Sequence, residues 1–331
     1  MGIRKFLFSA VSFIALQGAI TSLLLFSYYR PSINGVSAVY SSTQLKHRRL
    51  KSSASPRAIF VGGSNLFYGL ESELIKEQTG YEPVNMGLVG GLRISYFLNE
   101  VKDSLEAGDI VVLALEYIQL TATDEHAAPQ VLMRVIEQRP QSVQYLNLVH
   151  LKLLFDRGIQ EHVGISLRSS LGRIPEHPPF LLTTPQREEN KDINVYGDLV
   201  RFREGPPPHK GGIQQVLPPT VHQQNLKLRV RQLNQFYRYC QLNGVDVVFS
   251  YPPIPSSQYT NQAEIAQEFH KELEANLEIP IIHQPQDMVF DTSNFINESY
   301  HLHGPAIRQR TQRLINDLAS HEQREQTVAD N

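Results

Sequence analysis

Four apolar residues, Ala58-Ile59-Phe60-Val61, run directly into Gly62-Gly63-Ser64-Asn65. A segment with apolar residues at Leu66, Leu70, Leu74 and Ile75 follows, and its spacing predicts a helix over 66–76. A short buried strand that breaks at two glycines and opens a helix is the first half of an α/β unit. This pattern places Ser64 at the carboxyl end of the first strand, the edge of a parallel sheet where ligands collect. The leading N–H groups and the positive end of the helix dipole face the same place and favour negative charge there. The alternative is a serine that only caps the helix.

The pattern recurs. Strands are predicted at Glu82–Gly87, at Ile110–Leu115, at Val245–Ser250 and, shortened by Pro280, at Ile279–Ile282. Helices are predicted at 92–105, 225–242, 262–277 and 305–318. Strands that are apolar throughout and alternate with helices imply a three-layer, doubly wound α/β domain over 57–319, its parallel sheet covered on both faces. Residues 121–224 depart from the rhythm. They are read as a mainly helical insertion between the third and fourth strands, forming a wall on the substrate side, or else as a surface excursion. Residues 320–331 are rich in Gln and Glu and are expected to be a disordered tail.

Ahead of the domain, Phe6 to Phe26 carries no charge and follows Arg4 and Lys5. That length suits a bilayer-spanning helix. A cleaved signal peptide is the rival, but Ser27-Tyr28-Tyr29-Arg30-Pro31 is a poor cleavage site. The expectation is a signal anchor over 1–27, a polar stalk over 28–56 and a domain outside the cytoplasm. Lys46, Arg48, Arg49 and Lys51 beyond the span run against the positive-inside rule. The net charge of −2 shows no basic footprint, so no nucleic-acid partner is expected. Cys240 is the single cysteine, so an internal disulfide is excluded; it reads as a small apolar filler, and no metal site is expected.

A nucleophilic serine needs a base. Of twelve histidines, His301 falls in the loop Asn294–Gly304 between the fifth strand and the last helix, on the same sheet edge as Ser64. Glu298, three residues earlier, is placed to orient the imidazole, and Asp291 is a further candidate for that role. His303 ranks lower because Tyr300, not a carboxylate, precedes it by three. His47 is set aside with the stalk. An oxyanion needs donors: the backbone N–H of Ser64 or Asn65, and one from the turn Asn85–Gly91.

Gly62-Gly63-Ser64-Asn65, then Asn85-x-Gly87-x-x-Gly90, then Tyr300-His301-Leu302-x-Gly304 together resemble the SGNH (GDSL-like) hydrolase superfamily. Within it the chain is similar to the membrane-anchored bacterial envelope branch, whose members move acyl or acetyl groups onto surface polymers. The resemblance spans most of 57–318 outside the insertion. It implies a flavodoxin-like sheet, Ser64 as nucleophile, His301 as base and Gly90 as an oxyanion donor. It also implies an acylated glycan or small ester as substrate, an envelope polysaccharide complex as partner, and no metal or organic cofactor. Two positions depart from the pattern. Where the family usually carries Gly-x-Asn-Asp, with its Asn an oxyanion donor, this chain has Ala114-Leu115-Glu116-Tyr117. The family's acid is an Asp three residues before His; here it is Glu298. Asn85, Glu116 and Tyr117, at strand ends, are the candidate substrate contacts. A serine esterase or O-acyltransferase is the leading reading, and a catalytically impaired glycan-binding or scaffolding module is the alternative.

Overall fold

The computed structural model describes residues 38–158, 191–204, 216–296 and 300–329, with 4–5, 9, 12–13 and 16–17 near the amino end. Two compact units emerge. One comprises Met1–Val36 with Lys152–Glu189, and its described residues are helical. The other, Ser37–Leu151 with Asn190–Asn331, holds the sheet.

Four parallel strands form that sheet: β1 (Arg57–Gly62), β2 (Glu82–Asn85), β3 (Ile110–Ala114) and β4 (Asp246–Phe249), in the order β2-β1-β3-β4. Every residue of β1 and β3 is buried, as continuous apolar runs require when both faces are covered. Register is direct: Ile59 lies beside Val84 on one side and Val111 on the other, and Val111 beside Val247. Each large apolar side chain buried here contributes roughly 1.5–3 kcal/mol. The order reverses beside β1, so the chain leaves β1 and β3 towards opposite neighbours and opens a crevice at their carboxyl ends. Gly62 is required where β1 passes β3, because a Cβ there would stand 2.3 Å from the Ala114 carbonyl oxygen.

The helices are α1 (Ala38–Ser41), α2 (Thr43–Ser52), α3 (Ser64–Tyr68), α4 (Ser72–Gln78), α5 (Arg93–Lys102), α6 (Tyr117–Thr121), α7 (Pro129–Gln138), α8 (Gln223–Leu242), α9 (Ser256–Asn276) and α10 (Pro305–Ala329). The single helix expected over 66–76 is two, α3 and α4, parted at Gly69. The expected fifth strand is one parallel bridge, Phe249 with Ile281, because Pro280 has no N–H to extend a ladder. A separate parallel pair, β5 (Ile254–Pro255) with β6 (Val289–Phe290), lies outside the main sheet.

Two expected boundaries are corrected. Residues 38–52, assigned to the stalk, are helical, and Lys46, His47 and Leu50 are buried. Lys46 Nζ donates to the carbonyls of Asn85 and Gly197, each at 2.8 Å. His47 Nε2 meets Glu100 Oε1 at 2.9 Å. Local polarity pointed outward here because the partners that satisfy these groups lie far along the chain. The expected disordered tail is helical to Ala329. Gln, Glu and Arg are good helix formers, and buried His321 reaches Asp246 Oδ2 at 2.7 Å. Most of the run from Phe6 to Phe26 lies outside the described residues, and among those described no helix is long and apolar enough to cross a membrane. Of the 121–224 insertion, the end of α6, α7, residues 148–158, 3-10 turns at Asp124–His126 and Pro140–Tyr145 and the start of α8 are helical, while 159–190 and 205–215 lie outside the described residues.

Candidate active site

Ser64 opens α3 directly beyond β1, with Gly63 in extended backbone before it. As the first residue of a helix, its N–H has no partner within that helix. His301 sits between Tyr300 and Leu302, where a bridge pairs Leu302 with Phe295 and Ile296 N–H donates to the His301 carbonyl at 2.9 Å. Gly304, at φ +57°, then turns the chain into α10. These connections carry His301 Nε2 to 2.8 Å from Ser64 Oγ. Tyr68 lies four residues after Ser64, on the same face of α3. Its ring stacks on the imidazole, centroids 3.8 Å apart and planes 9° from parallel. His301 is buried, and that burial pushes its pKa down to about 3, which favours the neutral imidazole; Nε2 accepts from Ser64 in the tautomer with its proton on Nδ1.

Glu298, the expected orienting acid, lies outside the described residues. Asp291 instead caps the 3-10 turn Thr292–Asn294, accepting from Ser293 N at 2.8 Å and Ser293 Oγ at 2.6 Å. His303 Nε2 bonds the Ser293 carbonyl at 2.8 Å, away from Ser64.

The strand-end residue that differs from the expected asparagine reaches the centre of the site. Glu116 is the N-cap of α6 and its backbone N–H donates to Gln119 Oε1 at 3.0 Å. Its Oε1 lies 3.5 Å from Ser64 Oγ, 3.2 Å from Asn65 N and 3.3 Å from Asn65 Nδ2. The carboxyl lies flat against two glycines: a Cβ on Gly63 would meet Oε1 at 2.3 Å, and one on Gly90 would meet Oε2 at 2.4 Å. Burial raises the Glu116 pKa above the ordinary carboxylate range, against hydrogen bonds from Asn65 and Ser64 and the Arg93 charge.

This corrects three expectations. Asn65 is no oxyanion donor, because its N–H and amide are engaged by Glu116 and by the Ala114 carbonyl at 3.0 Å. Its Oδ1 accepts from buried Arg310 Nη2 at 2.7 Å, which fixes the amide's orientation. Asn85 is fully buried, bonding the Leu66 carbonyl at 3.0 Å, Asp198 Oδ1 at 2.8 Å and Gly87 N at 2.8 Å. It shapes the turn after β2 and does not line the cleft. Tyr117 turns inward to stack on Tyr251, centroids 6.0 Å apart, because an apolar aromatic core lies behind β3.

A cleft of about 530 Å³ opens on Ser64, His301, Glu116 and Gly90. Its far wall is Val216, Leu217, Pro218 and Pro219, from the end of the insertion, pinned by Tyr300 Oη donating to the Val216 carbonyl at 2.6 Å. Gly90 begins a 3-10 turn, so its N–H also lacks a partner within its own element. Arg93 lines the mouth at φ +70°, a backbone state that favours glycine, and its guanidinium holds the His126 carbonyl at 2.7 Å. Among the described residues no group of three or more His, Cys, Asp or Glu side chains is arranged to hold a metal ion. Cys240 is buried, its thiol pushed up to about 12 by burial.

Tyr68 and Arg310 were missed in the sequence. The spacing of four from Ser64 was a usable signal for Tyr68, whereas nothing local marks Arg310, whose partner Asn65 is 245 residues away.

No family model matches this chain, and no curated protein matches it. Among solved structures, one described as "a putative platelet activating factor from Streptococcus pneumonia" aligns over 93% of this chain and 98% of its own, with 11% identity and a TM-score of 0.35. A likeness of that size carries no argument about fold or chemistry.

Proposed function

We propose that this protein is an SGNH-type serine ester hydrolase or O-acyltransferase that works through an acyl-serine on an ester of the cell envelope, an acylated glycan or a small ester. In this reading the sheet is the core of a three-layer, doubly wound, flavodoxin-like domain. Residues 6–26 anchor it in a membrane with the cleft outside the cytoplasm, and an envelope polysaccharide complex is its setting. The observation that carries the reading is the 2.8 Å contact between Ser64 Oγ and His301 Nε2 at the floor of an open cleft.

The chemistry follows from that contact. Ser64 Oγ bonds to the ester carbonyl carbon as its proton passes to His301 Nε2, and the carbonyl π pair moves onto oxygen. Backbone N–H groups at Ser64 and Gly90 face the negative oxygen. Collapse re-forms the carbonyl and breaks the bond to the alcohol, which leaves with the proton from His301. Water, or a sugar hydroxyl, then attacks the acyl-serine, gives its proton to His301 and releases Ser64. Tyr68 keeps the imidazole plane aligned throughout.

A second reading, a glycan-binding or scaffolding module without turnover, is favoured by one feature: a carboxyl group stands 3.5 Å from the Ser64 hydroxyl, where an amide donor would be expected. Labelling with a fluorophosphonate and turnover of a short-chain nitrophenyl ester separate the two. The enzyme reading expects both in wild type and loss of at least ~10³-fold turnover in Ser64→Ala and in His301→Ala. Labelling that persists in Ser64→Ala removes that residue from the mechanism, and polymer binding without label or turnover supports the scaffold.

A further inference from the structure

Glu116 occupies the place from which an uncharged donor would reach the oxyanion, and its surroundings treat its two oxygens differently. Oε1 faces both Asn65 donors, at 3.2 and 3.3 Å, and the Ser64 hydroxyl at 3.5 Å. Oε2 lies against Gly90, on the cleft that Glu116 lines, and the side chain also meets the Gln119 backbone N–H in the capping box of α6. An oxygen held by both Asn65 donors beside one that faces the cleft suits a carboxylic acid with its carbonyl at Oε1 and its hydroxyl at Oε2.

We propose that Glu116 stands in the cleft as a neutral carboxylic acid whose Oε2–H donates to the oxyanion formed when Ser64 attacks an ester. The inference rests on the enzyme reading above. An ionised Glu116 would be a buried charge with no ion pair among the described residues. It would also repel the developing oxyanion. Arg310 and Arg93 keep their charges while bonding Asn65, the Gly69 carbonyl and the His126 carbonyl; the Arg93 charge opposes protonation of Glu116, but burial outweighs it. His301 is uncharged, and Tyr300, its hydroxyl bonded to Val216, keeps its proton because burial holds its pKa far above the ordinary value. Burial of Glu116 itself acts in the same direction. A buried carboxylic acid held neutral to donate a hydrogen bond has precedent in enolisation chemistry. The proton stays on Oε2 through the cycle: it strengthens its bond as negative charge grows and relaxes when the carbonyl re-forms.

The test compares Glu116→Gln and Glu116→Leu with wild type. In Glu116→Gln the carbonyl must face Asn65, so its NH2 faces the cleft as a donor that cannot ionise. In wild type, kcat falls as pH rises through the Glu116 pKa, because the acid form is lost; in Glu116→Gln that alkaline limb disappears. Glu116→Leu loses kcat by on the order of 10²- to 10³-fold relative to Glu116→Gln, with Ser64 still in place. Independently of turnover, infrared difference spectra at neutral pH show a protonated-carboxyl band in wild type that is absent in Glu116→Gln. Wild type that labels and turns over, yet shows no such band or keeps its alkaline limb in Glu116→Gln, overturns the role of Glu116 alone. Wild type that neither labels at Ser64 nor turns over overturns the enzyme reading, and this inference with it.

Discussion

Asn65 donates both its backbone N–H and its side-chain amide to a single oxygen of Glu116, at 3.2 and 3.3 Å. The residue after the proposed nucleophile therefore holds a carboxyl in register with the Ser64 hydroxyl. Asn65 is itself held by Arg310, so the end of β3, the start of α3 and α10 converge on one amide.

Asn65→Ala removes that amide while keeping the backbone donor. The Ala114 carbonyl and the Arg310 guanidinium each lose a buried partner. We expect a stability loss of about 1–3 kcal/mol, read as a lower denaturant midpoint, together with reduced turnover as the Glu116 carboxyl loosens.

Alanine at the three site glycines should act unequally. At Gly62 a Cβ meets the Ala114 carbonyl oxygen, part of a sheet that cannot yield. At Gly63 and Gly90 it meets the Glu116 carboxyl, the end of a side chain that can move. Gly62→Ala is expected to destabilise most, by ~1–3 kcal/mol. Gly90→Ala is expected to lower kcat more than it lowers stability. Equal midpoints for the two variants would contradict this ordering.

Tyr68 positions His301 through ring stacking and is not placed to touch substrate. Tyr68→Leu is expected to lower kcat roughly 2- to 10-fold with little change in KM, the worth of one aromatic pair. Tyr68→Phe, which keeps the ring, should recover most of that loss. A change in KM alone would assign Tyr68 to substrate binding instead.

The buried His301 predicts an unusual acid limb. An exposed base would lose activity as pH fell through 6.5; with its pKa pushed down to about 3, activity persists well below that and fades only as pH approaches 3. The same shift acts on stability. The unfolded chain takes up this proton near 6.5 and the folded chain does not, so stability falls as pH drops from 6.5 towards 3. In His301→Gln that part of the slope should vanish.

Lys46 acts with the same sign in an alkaline window. Burial pushes its pKa from 10.5 down to about 7, with Asp198 and Glu100 opposing. Between those values the unfolded state binds more protons, so stability rises with pH, by at most about 1.4 kcal/mol per unit. Lys46→Met is expected to flatten this rise in denaturant titrations from pH 7 to 10. An unchanged slope would place the titration elsewhere.

The sequence by itself determined the parallel sheet and the loops from which the hydroxyl and the imidazole come. Apolar runs such as Ile110–Ala114 and a Gly-Gly break after Val61 are local signals, and strand ends follow from periodicity and chain stiffness. Only the tertiary structure decided which polar groups are buried and what meets them. Lys46 and His47 read as stalk until Asn85, Gly197 and Glu100 came into reach, and Asn65 read as a free donor until Glu116 and the Ala114 carbonyl accepted its hydrogen bonds. A buried polar side chain is stable only with its partner, and that partner is chosen by the fold across tens to hundreds of residues, a distance over which no local pattern carries information.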